Sequence, residues 1–262
     1  MKRIVIAGGS GFLGRGLTRF LREQGYAVVV LTRQAPPAAA EPGRVYWDGN
    51  GLGPWAGELE DATAIINLAG RSVNCRYHSQ NRKRILDSRV NSTRVLGEAI
   101  ARCRRPPRVW LNSSTATIYK HAVDRPMDEA SGEIGATPEA KDAFSVEVAK
   151  AWERALDEAR TPQTRKVALR TAMVLGAEPG SVFLVLCRLV RCGLGGRMGN
   201  GKPRLHSEMN GTRSSKLSRN IVSPEKLQMS YPRTELKPPM VRGEESLSVS
   251  NTLPTTPRRA ME

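Results

Sequence analysis

The sequence has few of the residues that build disulfide frameworks, metal centres and aromatic platforms for nucleic acid. Its 262 residues include four cysteines and three histidines, and 5% of them are aromatic. The cysteines form no C-x-x-C pair, and the histidines are too scattered to suggest a set of ligands. We therefore expect neither a disulfide scaffold nor a metal site.

Long apolar runs and an export signal are also missing. No stretch approaches the roughly 18 consecutive apolar residues that a membrane-spanning helix needs. A short basic start is followed by only four apolar residues before Gly8, which is unlike a secretory signal. We expect a cytoplasmic protein that does not span a membrane.

The 25 acidic residues are outnumbered by 41 lysines and arginines, so the formal net charge is +16. The excess is concentrated in residues 71–110, which contain eleven basic and two acidic side chains. Residues 81–104 within this stretch have the apolar spacing of a helix. A nucleic-acid partner would call for an aromatic platform or a recognition motif, and neither accompanies the charge. The pattern favours a solvated basic helix face over a nucleic-acid site. The apolar positions of this helix are Ile85, Val90, Leu96, Ala99 and Ile100.

Short apolar runs alternate with helical patterns along the first two hundred residues. Amphipathic helices are predicted from the glycines at 8–14 to Gly25, over 81–104 and over 144–159. This alternation predicts an α/β fold, a Rossmann-type doubly wound parallel sheet with right-handed connections. The predicted strands are Lys2–Ala7, Ala27–Leu31, Val45–Trp47, Ala64–Leu68, Arg108–Asn112 and Val167–Leu169.

A glycine-rich turn follows the first predicted strand and opens the first predicted helix. It satisfies both the general dinucleotide spacing G-x-G-x-x-G and the short-chain dehydrogenase spacing G-x-x-G-x-x-G. Such glycines make the tight turn, let the backbone approach a pyrophosphate and allow close contact between helix and strand. Backbone N–H groups at the helix start would then hold the phosphates. The candidate cofactor residues here are Gly8, Gly9, Ser10, Gly11, Phe12, Leu13 and Gly14.

The end of the second predicted strand distinguishes between the two nicotinamide dinucleotides. NAD sites usually place Asp or Glu there to bind the ribose 2′-hydroxyl. This sequence has Thr32, Arg33 and Gln34 instead. A guanidinium and a hydroxyl suit a 2′-phosphate. We therefore predict NADP(H) as the cofactor, with NAD as the alternative.

Several motifs lie within the first 202 residues. They are GGSGFLG at 8–14, VVVLTR at 28–33, NLAGRSV at 67–73, SSTATIY at 113–119, Trp152-Glu153, RTAMVLG at 170–176 and GLGGRMGNGK at 193–202. Together they resemble the extended short-chain dehydrogenase/reductase superfamily, and more narrowly the SDR39U1-like or YfcH-like group of epimerase family proteins. The resemblance implies an NAD(P)-dependent epimerase/dehydratase fold.

The resemblance implies roles for residues at the ends of later strands. Thr115 falls where the superfamily has its catalytic Ser or Thr, although a hydroxyl there also caps loops. Arg170 would lie near the nicotinamide end. The residues implied to line the adenine and ribose side of the cofactor are Asn67, Leu68, Ala69 and Gly70.

One catalytic element of the superfamily is missing. Its usual chemistry needs a Tyr-x-x-x-Lys pair, in which the phenol is the acid/base and the ammonium lowers its pKa. None of the five tyrosines has a lysine four residues later, and the expected positions hold Ser145 and Ala149. Lys150 is one residue away from the required spacing, so its side chain should point about 100° away.

The pattern changes after about residue 202. Residues 203–262 contain no Phe or Trp and show no apolar periodicity. Members of the resembled family continue there into a further strand and a small helical domain. We predict a Rossmann domain over 1–202 and a non-homologous, disordered tail over 203–262, which a frameshift near codon 202 would explain.

The sequence is compatible with three hypotheses about function. The first is an NADP(H)-dependent oxidoreductase or epimerase-like enzyme acting on a small hydroxylated or carbonyl substrate, including nucleotide sugars. The second is a protein that holds NADP(H) for regulation or sensing without turnover. The third is a truncated product without function. The sequence leaves the substrate and the oligomeric state open.

Overall fold

The computed structural model describes residues 1–34, 43–122, 125, 127–176 and 178–194, which form one layered α/β unit. Two short 3₁₀ helices, Pro54–Leu59 and Ala116–Ile118, connect its longer elements. The strands are β1 (Arg3–Ala7), β2 (Ala27–Thr32), β3 (Arg44–Tyr46), β4 (Ala64–Asn67), β5 (Val109–Thr115) and β6 (Arg165–Thr171). The helices are α1 (Phe12–Glu23), α2 (Ser79–Arg102), α3 (Ala143–Asp157) and α4 (Val182–Arg191).

The six strands form one sheet in the order β3-β2-β1-β4-β5-β6. Every neighbouring pair is parallel. This is the strand order of the Rossmann fold, in which the chain changes direction between β1 and β4. The predicted doubly wound parallel sheet is confirmed. Ligands of such sheets bind at that switch point, beyond the carboxyl ends of the strands.

Apolar side chains cover both faces of the sheet. On one face, Trp110, Ile65 and Leu96 are fully buried in a cluster beneath α2 and α3. On the other face, Ile6 and Leu21 belong to a second cluster beneath α1. Because both faces are covered, the central strands are apolar throughout rather than alternating, as the sequence pattern indicated.

The predicted helix faces match the structure. The five apolar positions predicted for the basic helix are all buried in α2, and Val148 and Trp152 are buried in α3. Gly25 follows the end of α1 with φ +80°, and its N–H donates to the carbonyl of Arg22 at 2.9 Å. This is a glycine C-terminal cap of the kind the sequence predicted.

Several predicted boundaries were wrong. α2 begins at Ser79 rather than at residue 81, since the side chain of His78 accepts a hydrogen bond from Asn81 N. β5 continues to Thr115 and β6 to Thr171, because their polar ends pair with each other in register. The sequence reading also missed α4, which begins after Ser181, whose hydroxyl accepts from Phe183 N at 3.1 Å.

The C-terminal prediction lies outside the described residues. The predicted boundary at 202 and the predicted tail therefore stay predictions. No helix within the described ranges is long and apolar enough to cross a bilayer. The cytoplasmic location also stays a prediction.

Candidate functional site

The glycine-rich turn connects β1 to α1 and touches the loop that follows β4. Gly8 adopts φ +74°, and a Cβ on it would lie 2.8 Å from the Cα of Ala69. A Cβ on Gly14 would overlap the backbone of Gly9. Both positions therefore require glycine for the fold itself. The turn thereby brings the ends of β1 and β4 together at the switch point.

α1 begins directly after this turn, beyond the carboxyl end of β1. Gly11 is its N-cap and supplies no side-chain hydrogen bond. The first N–H groups of a helix have no partner within it, so they are available to an anion. A Cβ at Gly11 would meet nothing closer than the carbonyl of Gly8, at 3.6 Å. The bare backbone and free donors fit a pyrophosphate.

The remaining members of the turn have different neighbours. Leu13 is 40% exposed at the start of α1. The ring of Phe12 lies against Gly176, where a Cβ would be 2.8 Å away. Arg15 donates to the carbonyls of Ser10 at 2.9 Å and Pro179 at 2.6 Å. The segment after β6 thus packs against the start of α1.

The end of β2 lies beside Ser10. The Thr32 hydroxyl is buried, lies 3.3 Å from the Ser10 hydroxyl and accepts from Gln34 N at 3.3 Å. Arg33, the next residue, is exposed. The residues from 33 to 40 include no acid. A guanidinium, rather than a carboxylate, therefore follows the strand where a ribose would be recognised.

The end of β4 is shaped by a fully buried side chain, Asn67. Its Oδ1 accepts from Ala69 N at 3.0 Å, and its Nδ2 donates to Asn112 Oδ1 at 2.7 Å and to Thr93 Oγ1 at 3.3 Å. Leu68 N donates to the carbonyl of Ala7 at 2.9 Å. The predicted ribose-side segment, Asn67 to Gly70, is thus held against β1.

This anchor extends through the core to α3. Thr93 on α2 accepts from the indole N–H of Trp152 at 3.0 Å and lies 3.4 Å from Asn112 Oδ1. Asn67, Thr93 and Asn112 are all buried. A satisfied buried network of this kind fixes the geometry of its members. This buried network was not predicted from the sequence, although polar residues at core-facing positions were the available signal.

Thr115 ends β5 at the same edge of the sheet. Its hydroxyl accepts from Thr117 N at 3.2 Å and lies 2.9 Å from the Thr117 hydroxyl. Thr115 thus caps the second 3₁₀ helix, and it is partly exposed. Its catalytic role stays a prediction.

Arg170, near the end of β6, is engaged with α3. Its guanidinium forms two hydrogen bonds with the carboxylate of Glu153, at 2.8 and 2.7 Å. It also donates to the phenol oxygen of Tyr119 at 2.8 Å, and Glu153 accepts from Ser114 Oγ at 2.6 Å. The predicted cofactor role of Arg170 stays a prediction, and its described contacts are with these side chains.

The ion pair determines the charge states at this end of the site. Burial alone would raise the pKa of Glu153, but hydrogen bonds from Arg170 and Ser114 outweigh it and hold the pKa below its ordinary value. Because Glu153 accepts hydrogen bonds from the guanidinium of Arg170, the pKa of that guanidinium is raised. Both groups therefore remain charged at neutral pH.

The positions of the missing Tyr/Lys pair lie on α3. Ala149 is fully buried, Ser145 is partly buried and Lys150 is exposed. Lys150 therefore points away from the buried side of the helix, as its spacing predicted. No phenol and ammonium pair occupies these two positions of α3.

The structure brings the predicted cofactor residues together in two groups. The glycine turn, Thr32 and the segment from Asn67 to Gly70 meet at the carboxyl ends of β1, β2 and β4. Thr115 and Arg170 lie at the same edge on β5 and β6. The strand order and the glycine turn define a Rossmann-type dinucleotide-binding fold.

Comparison with known proteins gives the family. The sequence profile described as the NAD dependent epimerase/dehydratase family matches residues 4–202. The chain belongs to this family. The human epimerase family protein SDR39U1 is 32% identical over 206 residues, which span 76% of this chain and 63% of that protein. The resemblance to the SDR39U1-like group is confirmed.

Solved structures of related proteins have the same fold. The crystal structure of human SDR39U1 (isoform 2) with NADPH has a TM-score of 0.63 and 28% identity, over 76% of this chain and 63% of that one. A nucleoside-diphosphate sugar epimerase from Corynebacterium glutamicum has a TM-score of 0.58 and 27% identity, over 76% of this chain and 39% of that one. The chain spans less than two thirds of the length of these relatives.

Proposed function

We propose that this protein binds NADP(H) at the switch point of its sheet and acts as an oxidoreductase or epimerase-like enzyme on a small hydroxylated or carbonyl substrate. The observation that carries the proposal is the uncapped start of α1 above a glycine turn that contacts the end of β4. These are the features with which Rossmann folds hold a pyrophosphate.

Two observations support the 2′-phosphorylated cofactor. Arg33 is exposed directly after β2, and the sequence from 33 to 40 contains no acid that could accept from a ribose hydroxyl. A guanidinium forms charge-assisted hydrogen bonds with phosphate oxygens. The structure of the human relative contains NADPH.

The bound cofactor would supply or accept a hydride. The chain's own residues would then position the substrate oxygen. The Thr115 hydroxyl is the candidate hydrogen-bond partner of that oxygen, since it ends β5 at the carboxyl edge and is partly exposed. If the Thr115 hydroxyl turned toward a substrate, it would lose the hydrogen bond that it accepts from Thr117 N.

A second function is favoured by one specific observation. Because Ser145 and Ala149 occupy the positions of the usual tyrosine and lysine, the chain lacks the superfamily's acid/base pair. A protein that holds NADP(H) for regulation without turnover needs only the cofactor-binding half of the site. Both functions begin with cofactor binding.

Titration of the purified chain with NADPH and with NADH, followed by nicotinamide fluorescence, tests the shared step. We expect saturable binding, with NADPH bound at least tenfold more tightly. Folded protein that binds neither dinucleotide would refute both functions. NADPH consumption is then measured with a panel of sugars, aldehydes and ketones, with a full-length homologue assayed in parallel. Turnover would support the enzyme, and binding without turnover would support the regulatory protein.

A further inference from the structure

A cavity of about 450 Å³ lies where three neighbouring strands, β1, β4 and β5, begin. It is therefore at the amino edge of the sheet, opposite the edge that carries the glycine turn and Asn67. Its volume falls within the roughly 300 to 1,000 Å³ that is typical of small-molecule sites in proteins. The residues that line it include Lys2, Asp61, Ala62, Thr63, Arg105 and Arg108.

The charges on the wall of this cavity do not balance. Of the described lining residues, Lys2, Arg105 and Arg108 are basic and only Asp61 is acidic. That one carboxylate is paired with Arg105, at 2.6 Å from Nη2. Within the part of the chain that the structure describes, neither Lys2 nor Arg108 forms an ion pair. Three positive charges against one negative charge leave the wall with an excess of two.

The acids that precede Asp61 in the chain do not neutralise this excess. Glu60 accepts hydrogen bonds from the backbone N–H groups of Arg104 at 3.1 Å and Arg105 at 2.7 Å. Glu58 is paired with Arg3 at 3.5 Å. Because these carboxylates already have partners and neither lines the cavity, they leave the cations there uncompensated.

Backbone hydrogen bonds fix the segments that surround the cavity. Thr63 N donates to the carbonyl of Arg3 at 2.7 Å, and Asp61 N donates to the carbonyl of Arg105 at 3.0 Å. Asp61 adopts φ +58°, which is uncommon for a residue other than glycine. Arg105 holds it there through both its carbonyl and its guanidinium. The starts of β4 and β5 are thereby fastened to each other beside the two unpaired cations.

We propose that this cavity binds a phosphate-bearing small molecule, whose phosphate is held by Lys2 and Arg108. A phosphate monoester carries about two negative charges at neutral pH, which matches the excess on the wall. A guanidinium offers paired N–H donors to phosphate oxygens, and an ammonium adds a point charge. The Thr63 hydroxyl has no hydrogen-bond partner among the described residues and is a third donor. The site is separate from the cofactor site and does not depend on the proposed function.

Amide chemical shifts of the isotope-labelled chain, titrated with glucose 6-phosphate and with glucose, locate the site. We expect saturable shifts of the Ala62 and Thr63 amides with glucose 6-phosphate and none with glucose, which lacks the phosphate. Physiological ionic strength screens general attraction to a basic chain. Shifts confined to the Gly9 and Gly11 amides would place the phosphate at the cofactor turn and overturn the proposal. The absence of saturable shifts would also overturn it.

Calorimetric titration of variants tests the two cations. Lys2→Met combined with Arg108→Met should weaken glucose 6-phosphate binding at least tenfold and leave NADPH affinity unchanged. Both side chains are exposed, so the melting temperature should stay close to that of the wild type. Arg104→Met removes an exposed arginine that does not line the cavity and should bind like the wild type.

Equal losses in the double variant and in Arg104→Met would indicate general attraction to positive charge and overturn the site. If the double variant does not fold, the wild-type shifts of Ala62 and Thr63 still decide. Because NADPH affinity is measured separately, failure of the cofactor proposal would not be mistaken for failure of this one.

Discussion

Arg170 and Glu153 are joined by two parallel hydrogen bonds, of 2.8 and 2.7 Å, that connect β6 to α3. Both side chains are largely buried, with 19% and 14% of their surface exposed. The pair therefore fastens the last strand of the sheet to the helix beside it. Because it is shielded from solvent, it should contribute to stability more than the exposed ion pairs of the chain do.

Replacement of Glu153 by Gln should destabilise the chain by about 1 to 3 kcal/mol, since Arg170 loses its counter-charge in a shielded site. The measurement is urea unfolding at neutral pH. Glu147→Gln is the control, because Glu147 lies on the exposed side of the same helix. Equal stability of the two variants would contradict a stabilising role for the pair.

The same pair predicts how stability depends on pH. The pKa of Glu153 is lowered in the folded chain, so its contribution is fully present above the unfolded value of about 4.3. It should be lost as the pH falls through the lower, native value. Unfolding measured from pH 6 downward should show a steeper loss for the wild type than for Glu153→Gln. Parallel curves would show that Glu153 does not titrate with a lowered pKa.

Gly11→Ala should separate cofactor binding from folding. The added Cβ meets only ordinary contacts within the chain, so the melting temperature should stay close to that of the wild type. It would intrude where the pyrophosphate approaches the backbone, so NADPH affinity should fall at least tenfold. Gly16→Ala, in which the nearest atom is a side-chain oxygen 4.0 Å away, should bind NADPH normally. Undiminished affinity in Gly11→Ala would place the cofactor elsewhere.

Arg33→Ala should reduce selectivity between the cofactors. Loss of the guanidinium should weaken NADPH binding by about tenfold, or ~1.4 kcal/mol, and leave NADH binding nearly unchanged. The measurement is fluorescence titration of both dinucleotides, with Arg94→Ala as a control for loss of surface charge. A parallel fall in both affinities would mean that Arg33 does not recognise the 2′-phosphate.

Asn67→Ala should destabilise the chain by about 1 to 3 kcal/mol, because Ala69 N and Asn112 would lose their buried partner. Asn91→Ala is the matched control, since the hydrogen bond described for Asn91 is a long, exposed one to Asn50 at 3.5 Å. Chemical unfolding of both variants gives the comparison. If Asn67→Ala lowered the free energy of unfolding no more than the control does, the network would contribute little to stability.

Local patterns in the sequence were enough to predict the strands of the sheet and the turn that follows the first one. The apolar runs predicted all six strands, and the glycine spacing predicted the turn between β1 and α1. Both depend on residues that are neighbours along the chain, where periodicity and backbone freedom act directly. Helix and strand ends were less accurate, because side-chain caps and strand pairing set them. Amphipathic α4 was overlooked.

Tertiary structure decided which side chains meet. Glu153 finds Arg170, Asn67 finds Asn112, and Arg89 lies between Gly70 and Trp152, although these partners are separated by up to 63 residues in the sequence. Such contacts arise only after the crossover connections bring α2 and α3 onto the sheet. The sequence by itself determined a parallel sheet and a glycine-rich turn after its first strand. The fold alone determined that Glu153 pairs with Arg170 and that Asn67 bonds to Asn112.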